Sequence, residues 1–125
     1  MKIVRSLLAL FIFAAASAHA LDVTPYTPAA VNQAQQANQS YVLHFHADWC
    51  PVCRKQSEVI DALKSDPALK LTVFVVNYDK ERVMRRQHGV RTQSTLIAFK
   101  GTAETSRIAG VTDPDIIRDT LASAL

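Results

Sequence analysis

The chain contains one pair of cysteines, which lie in the segment Trp49-Cys50-Pro51-Val52-Cys53. An apolar run precedes this segment, and a stretch with helical character follows it. A thiol at the start of a helix faces unsatisfied backbone N–H groups and the positive end of the helix dipole, which favour the thiolate. A second thiol three residues later lies one turn away, within reach of a reversible disulfide. The spacing therefore indicates a dithiol redox site at a strand–helix junction.

The first twenty residues predict a secretory signal peptide. Lys2 and Arg5 give a positive start, residues 7–16 are apolar and uncharged, and Ala18-His19-Ala20 is an A-x-A cleavage site. We expect a cleaved signal over residues 1–20 and a single domain over residues 21–125, which leaves 105 of the 125 residues. An uncleaved membrane anchor is the alternative. Export places the cysteines in a compartment that permits disulfides, with no stable membrane insertion after cleavage.

Cleavage also changes the charge of the chain. The full chain has 14 Lys+Arg and 11 Asp+Glu, and removal of the two basic residues of the signal leaves twelve against eleven, a net charge of +1. Arg82, Arg85 and Arg86 cluster on one predicted helix, which we interpret as a solvated helix face rather than a nucleic-acid site. A structural C-x-x-C disulfide is the alternative to a redox pair, but it would close only a small loop.

Apolar patterning and capping residues predict the order βαβαβαββα. The predicted strands are residues 21–26, 41–46, 71–76, 95–99 and 105–109, the first of them a strand or an extended lead-in. The predicted helices cover residues 28–38, 50–64 and 79–88, and a terminal helix from Asp113 carries Ile116, Ile117, Leu121 and Leu125 on its apolar side. Helical crossovers give parallel strands, and the short Lys100-Gly101 turn gives an antiparallel hairpin. We therefore expect an α/β fold, with a mixed central sheet and helices on both faces.

The order of these motifs resembles the thioredoxin family over essentially all of the mature chain. Residues 42–55 resemble the family's strand, Trp-Cys-x-x-Cys motif and following helix, and residues 71–73 with 77–79 resemble its next strand. Residues 89–96 resemble the segment that leads into the cis-proline loop, and Gly110 resembles the glycine after the last strand. The resemblance implies a thioredoxin fold and a thiol–disulfide oxidoreductase with a redox-active Cys50–Cys53 disulfide and no other cofactor. The Ala-Asp-Trp-Cys form and the signal peptide are similar to exported proteins that serve bacterial disulfide reduction and cytochrome c maturation, which implies the periplasm.

Three positions depart from the family pattern. Ser94 stands at the cis-proline position, His44 stands at the position of a buried acid, and Val75 stands where a lysine often pairs with that acid. A cis bond before serine costs about 2.5–4 kcal/mol, so the Gln93–Ser94 bond is either a strained cis bond or trans. The changes at His44 and Val75 look linked, because the loss of both partners leaves no orphan buried charge.

The resemblance assigns attack to Cys50 and resolution to Cys53, which we expect to be deeper and closer to an ordinary thiol. His44 is either a general base with an ordinary imidazole pKa, which helps Cys53 lose its proton, or a packed and hydrogen-bonded strand histidine. His46 shares the strand parity of His44 and is expected at the rim of the site. A hydroxyl at Ser94 is expected near the sulfurs, where it would tune the thiolate. The predicted substrate-binding residues are Trp49, Pro51, Gln93, Ser94 and Thr95.

The expected substrates are protein disulfides or dithiols, and the expected electron source is a membrane thiol transporter. The sequence has no nucleotide or flavin fingerprint, so electrons are expected from a partner's thiols. We expect a reductant; because Pro51-Val52 matches neither reducing thioredoxins nor exported oxidants, a disulfide-donating oxidant is an alternative. A metal-binding protein is another, with zinc, copper or an iron–sulfur cluster held by the two cysteines and the histidines His44 and His46. A non-catalytic interaction domain is the third alternative to a reductant.

Overall fold

The computed structural model of the protein describes residues 20–125, so the predicted signal peptide lies outside the described residues except for Ala20. The predicted order of strands and helices is confirmed. The strands are β1 (Leu21–Pro25), β2 (Ser40–His46), β3 (Leu71–Asn77), β4 (Thr95–Lys100) and β5 (Ala103–Ala109). The helices are α1 (Pro28–Gln36), α2 (Pro51–Leu63), α3 (Arg82–Gln87) and α4 (Pro114–Ala122). None of these helices is long and apolar enough to span a bilayer.

The five strands form one mixed sheet in the order β1-β3-β2-β4-β5. Strand β3 runs parallel to both β1 and β2, since helices make the crossovers, whereas β4 is antiparallel to β2 and to β5. One face of the sheet, which carries Val42 and Leu96, packs against α2 and α4. The opposite face, which carries Leu43 and Phe45, packs against α1 and α3. The expected thioredoxin fold, a mixed sheet with helices on both faces, is confirmed.

Several predicted element ends are wrong by a few residues, and the largest error is at α3. This helix begins at Arg82 rather than at residue 79. The Asn77 side chain explains the delay, because its Oδ1 accepts the backbone N–H of Asp79 and of Lys80, each at 3.1 Å, and holds the chain in a turn. Helix α1 ends at Gln36, and Asn38 then adopts a left-handed φ of +50°.

The apolar side of α4 is narrower than predicted. Ile117 and Leu121 are fully buried against the sheet, as expected, but 47% of Ile116 and 54% of Leu125 are exposed. The helix ends at Ala122, and the small side chain of Ala124 fills the core position beyond it. Asp113 caps the helix as predicted, since its carboxylate accepts the backbone N–H groups of the first turn.

Candidate active site

Cys50 occupies the N-cap position of helix α2. Its Sγ accepts the backbone N–H of Cys53 at 3.1 Å, so the expected contact between a sulfur and the first helical turn is confirmed. Pro51 follows at the first helical position, where its missing N–H leaves no donor unsatisfied. Both cysteines are buried, with 3% of Cys50 and none of Cys53 exposed, and Ala47 completes a small apolar cluster around them. The sulfurs therefore share one partly shielded site at the end of the sheet.

The Cys53 thiol is a weaker acid than an ordinary cysteine. Burial is the largest cause that raises its pKa to about 11, and the hydrogen bond to Cys50 and the charge of Cys50 raise it further. Backbone hydrogen bonds from Ala47 and Ser94 act in the opposite direction. The expectation of a nearly ordinary thiol is therefore wrong.

The Gln93–Ser94 peptide bond is trans, and Ser94 has a left-handed φ of +60°. Its N–H donates to the carbonyl of Phe45 at 2.9 Å, and its carbonyl accepts the N–H of Gly110 at 3.0 Å. The Ser94 hydroxyl donates to the carbonyl of Gln93, not to a sulfur, so the predicted role of this hydroxyl at the thiolate has no support in the structure. These bonds occupy the backbone groups of Ser94.

The other predicted substrate-binding positions of this loop differ in access. Thr95 is 3% exposed and lies in β4, where its hydroxyl donates to the carbonyl of Thr92 at 2.9 Å. Gln93 is half-buried at the loop surface. Pairing between a substrate backbone and this loop stays a prediction, and it centres on Thr92 and Gln93 rather than on Ser94 and Thr95.

His44 lies directly opposite Val75 in the pairing of β2 with β3. The two linked departures from the family pattern are thus neighbours in space, and an apolar side chain faces the imidazole. His44 is 1% exposed, and its Nε2 lies 3.0 Å from Oε1 of Gln56. The position is therefore a buried polar contact between β2 and α2.

Gln56 is a site residue that the sequence analysis missed. Its side chain is fully buried, and its Nε2 donates to the carbonyls of Ser94 at 3.0 Å and Val111 at 2.9 Å. Because both amide protons are directed at carbonyls, Oε1 must be the atom that faces His44, and His44 Nε2 must carry the proton. A signal existed in the sequence, since Gln56 lies one turn after Cys53 on the predicted apolar side of its helix.

His44 is a neutral imidazole at physiological pH. Burial is the largest cause that lowers its pKa to about 4; the hydrogen bond to Gln56 raises it, and the nearby His46 lowers it. The expectation of an ordinary imidazole pKa is wrong, and the environment is that of the packed, hydrogen-bonded alternative. A role as general base stays a prediction, and it rests on Nδ1 because Nε2 already donates to Gln56.

The pKa of His44 predicts a loss of stability in mild acid. The unfolded chain binds a proton at His44 below pH 6.5, whereas the folded chain binds it only near pH 4, so stability is lost as the pH falls between these values. The loss from His44 reaches about 3 kcal/mol. Urea unfolding of wild type and His44→Gln from pH 7.5 to 4 measures it. Equal slopes of stability against pH in the two proteins would contradict the assignment.

Trp49 presents an exposed aromatic surface next to the sulfurs. It is 59% exposed, and its Nε1 donates to Oδ2 of Asp79 at 2.8 Å, which fixes the ring at the rim of a groove of about 530 Å³. His46 lines the same groove, with its Nε2 2.9 Å from Oδ1 of Asp48 and its ring 5.3 Å from that of His44. The structure thus places His46 at the rim, and it leaves Trp49 accessible to a partner chain.

The metal-binding alternative finds no complete ligand set between residues 20 and 125. No three His, Cys, Asp or Glu side chains in this part of the chain are grouped to hold an ion. The nearest candidates already have other partners, since His44 bonds to Gln56 and His46 to Asp48. A structural zinc site needs four ligands, and the cysteines supply two.

Comparisons with known proteins agree with this geometry. The family model "Thioredoxin" matches residues 22–123. The thioredoxin of Alicyclobacillus acidocaldarius is 30% identical over 99 residues, which are 79% of this chain and 94% of the relative. The crystal structure of Trxlp from Edwardsiella tarda matches with 39% identity and a TM-score of 0.76, over 80% of this chain and 98% of that one. A mutant thioredoxin from Halobacterium salinarum, 20% identical, matches in fold with a TM-score of 0.72 over 87% of this chain and 95% of its own.

The fold and the C-x-x-C site together define a thiol–disulfide oxidoreductase. The chain belongs to the thioredoxin family. Members of this family act on protein disulfides and need no cofactor, because the cysteine pair itself carries the electrons.

Proposed function

We propose that the protein is an exported reductant of protein disulfides, in which Cys50 attacks and Cys53 resolves. One observation carries the assignment of roles. The Cys50 sulfur lies at the N-terminus of α2 and accepts the backbone N–H of Cys53. The Cys53 side chain, by contrast, is completely buried. The sulfur that the N-terminus of the helix stabilises attacks, and the fully buried sulfur resolves the mixed disulfide.

In the first step the Cys50 thiolate attacks one sulfur of the substrate disulfide. A bond forms between Cys50 and that sulfur, the substrate's S–S bond breaks, and the second substrate sulfur leaves as a thiolate. The N–H of Cys53, 3.1 Å from the Cys50 sulfur, stabilises the attacking thiolate before reaction. Trp49 offers the incoming chain a flat apolar contact beside the sulfurs.

In the second step Cys53 gives up its proton to solvent and its sulfur attacks Cys50. The bond between Cys50 and the substrate sulfur breaks, the substrate leaves as a thiolate, and the Cys50–Cys53 disulfide forms. The hydrogen bond to Cys50 and the charge of Cys50 both raise the pKa of Cys53, and formation of the mixed disulfide removes both causes. Burial, the largest cause of the raised pKa, remains. Attack at Cys50 therefore activates Cys53 for resolution.

The neutrality of the groups beneath the sulfurs supports the reducing direction. A strong oxidant needs a strongly stabilised reduced form. Here the pKa of about 4 keeps His44 uncharged, and its partner Gln56 is a neutral amide. The cations that follow Cys53 have other partners, since Arg54 donates to the carbonyl of Asp48 at 2.9 Å and Lys55 pairs with Glu58 at 3.2 Å.

Export is supported by the signal pattern and by the position of the first described strand. Strand β1 begins at Leu21, so removal of residues 1–20 leaves every described element complete. We assign the protein to the periplasm, in redox homeostasis or cytochrome c maturation, with a membrane thiol transporter as its source of electrons. The intact mass of protein recovered from the periplasm tests this assignment, since it should correspond to a chain that starts at Leu21.

The reduction potential of the Cys50–Cys53 pair tests the direction. Mature protein is equilibrated in glutathione or dithiothreitol buffers, after its metal content has been measured. We expect a value near that of reducing thioredoxins, about −270 mV. A value near about −120 mV would make the protein a disulfide donor and would overturn the proposed direction.

A further inference from the structure

A second groove, of about 440 Å³, lies beside helix α3 and carries a concentrated positive charge. Four arginines line it, namely Arg82, Arg85, Arg86 and Arg91. Between residues 20 and 125, none of the four forms an ion pair with a carboxylate. The predicted mature chain has twelve basic and eleven acidic residues, so everything outside this arginine surface sums to −3. The four positive charges of this surface are therefore not compensated by ion pairs in the described part of the chain, and the rest of the mature chain has the opposite net charge.

Packing, not a carboxylate, holds the central arginine of this surface. The guanidinium of Arg85 lies over the ring of Tyr78, with its central carbon 4.2 Å from the ring centroid. Its Nε is buried and has no hydrogen-bond partner in the described part of the chain. The stacking on Tyr78 thus holds the half-buried Arg85 side chain in place without a carboxylate partner in the described part of the chain.

Tyr78 joins the arginine surface to the redox site. Its ring packs against the cluster of Ala47, Cys50 and Cys53, and its hydroxyl donates to the carbonyl of Arg91 at 3.1 Å. Arg91 also lies two residues before Gln93, on the segment that leads to the Ser94 loop. The single side chain of Tyr78 therefore contacts both the cysteine cluster and the arginine surface.

We propose that the arginine surface binds a segment rich in Asp and Glu that adjoins the disulfide of the protein substrate. This inference rests on the proposed attack of Cys50 on protein disulfides, and it adds the substrate class. Guanidinium groups bind carboxylates in paired hydrogen bonds, and a cluster of like charges speeds the approach of an opposite one. The groove beside Trp49 is instead rimmed by Asp48 and Asp79, which repel such a segment. A bound substrate is therefore expected to place its acidic segment on the arginine surface and not in the groove beside Trp49.

Matched peptides test the proposal. Each carries one cysteine linked to thionitrobenzoate, flanked on one side by four Glu, four Gln or four Lys. The reduced mature protein donates two electrons: Cys50 bonds to the peptide sulfur and releases the coloured thiolate, and Cys53 then frees the peptide thiol and closes the disulfide. Rates are measured for wild type, for Arg82→Gln/Arg86→Gln, and for Lys70→Gln/Lys100→Gln, which removes two exposed charges elsewhere.

Wild type is expected to react about ten-fold faster with the Glu peptide than with the Gln peptide at low salt, and this preference should shrink as salt rises. The arginine double variant should keep its rate with the Gln peptide and lose most of the preference for the Glu peptide, while the lysine double variant should retain this preference.

Equal rates with Glu and Gln peptides, or equal losses in both double variants, would overturn the proposal. Absence of reaction with every peptide would instead refute the proposed function. Tight binding of a DNA duplex without a preference for Glu would assign the surface to nucleic acid.

Discussion

Replacement of Cys53 by serine is expected to arrest the protein on its substrates as a mixed disulfide, whereas replacement of Cys50 by serine is expected to remove turnover. Without Cys53 the first step proceeds, but no sulfur is in place for the second. Without Cys50 the remaining thiol is fully buried, and burial, the largest cause of its raised pKa, still disfavours its thiolate at neutral pH. Attack through this buried and protonated thiol should be at least about a hundred-fold slower than attack through Cys50.

The two variants are distinguished by mass as well as by rate. Reduced protein is mixed with a disulfide-bonded peptide and quenched in acid, and the intact mass is recorded. Cys53→Ser should accumulate one stoichiometric peptide adduct, while Cys50→Ser and the double Cys50→Ser/Cys53→Ser control should carry none. Full turnover by Cys53→Ser would remove its resolving role. An adduct on Cys50→Ser that forms at the wild-type rate would exchange the two roles.

The fold could be predicted from local patterns because each element carries its own signal. A β-branched run marks β3, Pro114 after the capping Asp113 marks the start of α4, and Pro51 after Cys50 marks the start of α2. The errors arose where tertiary contacts compete with the pattern. Asn77, whose side chain holds a turn, delays α3, and no periodicity of apolar residues reveals that contact.

The site could be predicted only as far as the cysteines and the loop that faces them. Their spacing along the helix is local, so the pair and its position at the N-terminus of α2 follow from the sequence. The pKa values of Cys53 and His44 do not, because burial is the largest cause of both shifts and depends on the whole fold.

Gln56, which the sequence analysis missed, connects two of the departures from the family pattern. His44 and Ser94 stand at unrelated positions in the sequence, but both are hydrogen-bonded to Gln56. A neutral amide can serve a protonated Nε2 on one side and carbonyls on the other, so it suits a site from which the buried acid has gone. A polar residue within an apolar helical stripe is the pattern to watch for in such sequences.

Replacement of Gln56 by leucine is expected to be among the most destabilising substitutions in the chain. Leucine fills a similar volume but leaves His44 Nε2–H and the carbonyl of Val111 without their partner, while the carbonyl of Ser94 keeps its bond from Gly110. A buried polar group without a partner costs about 1–3 kcal/mol, and the Val111 carbonyl is only partly buried, so the free energy of unfolding should fall by about 2–4 kcal/mol. Urea unfolding at pH 7 measures this loss. Glu58→Gln, an exposed change on the same helix, should alter stability by less than about 0.5 kcal/mol.

The same substitution separates a positioning role from a purely structural one. Gln56 ties the Ser94 loop to the helix that carries both sulfurs, so its loss should displace the loop while Cys50 stays at the helix N-terminus. In conditions where Gln56→Leu is folded, reduction of a disulfide peptide should slow about ten-fold, because the substrate is held out of line with the sulfur. Alkylation of Cys50 by iodoacetamide, which needs no loop, should change less than about two-fold. If both reactions slow equally, Gln56 contributes to stability alone, and the loop is positioned by its bonds to Phe45 and Gly110.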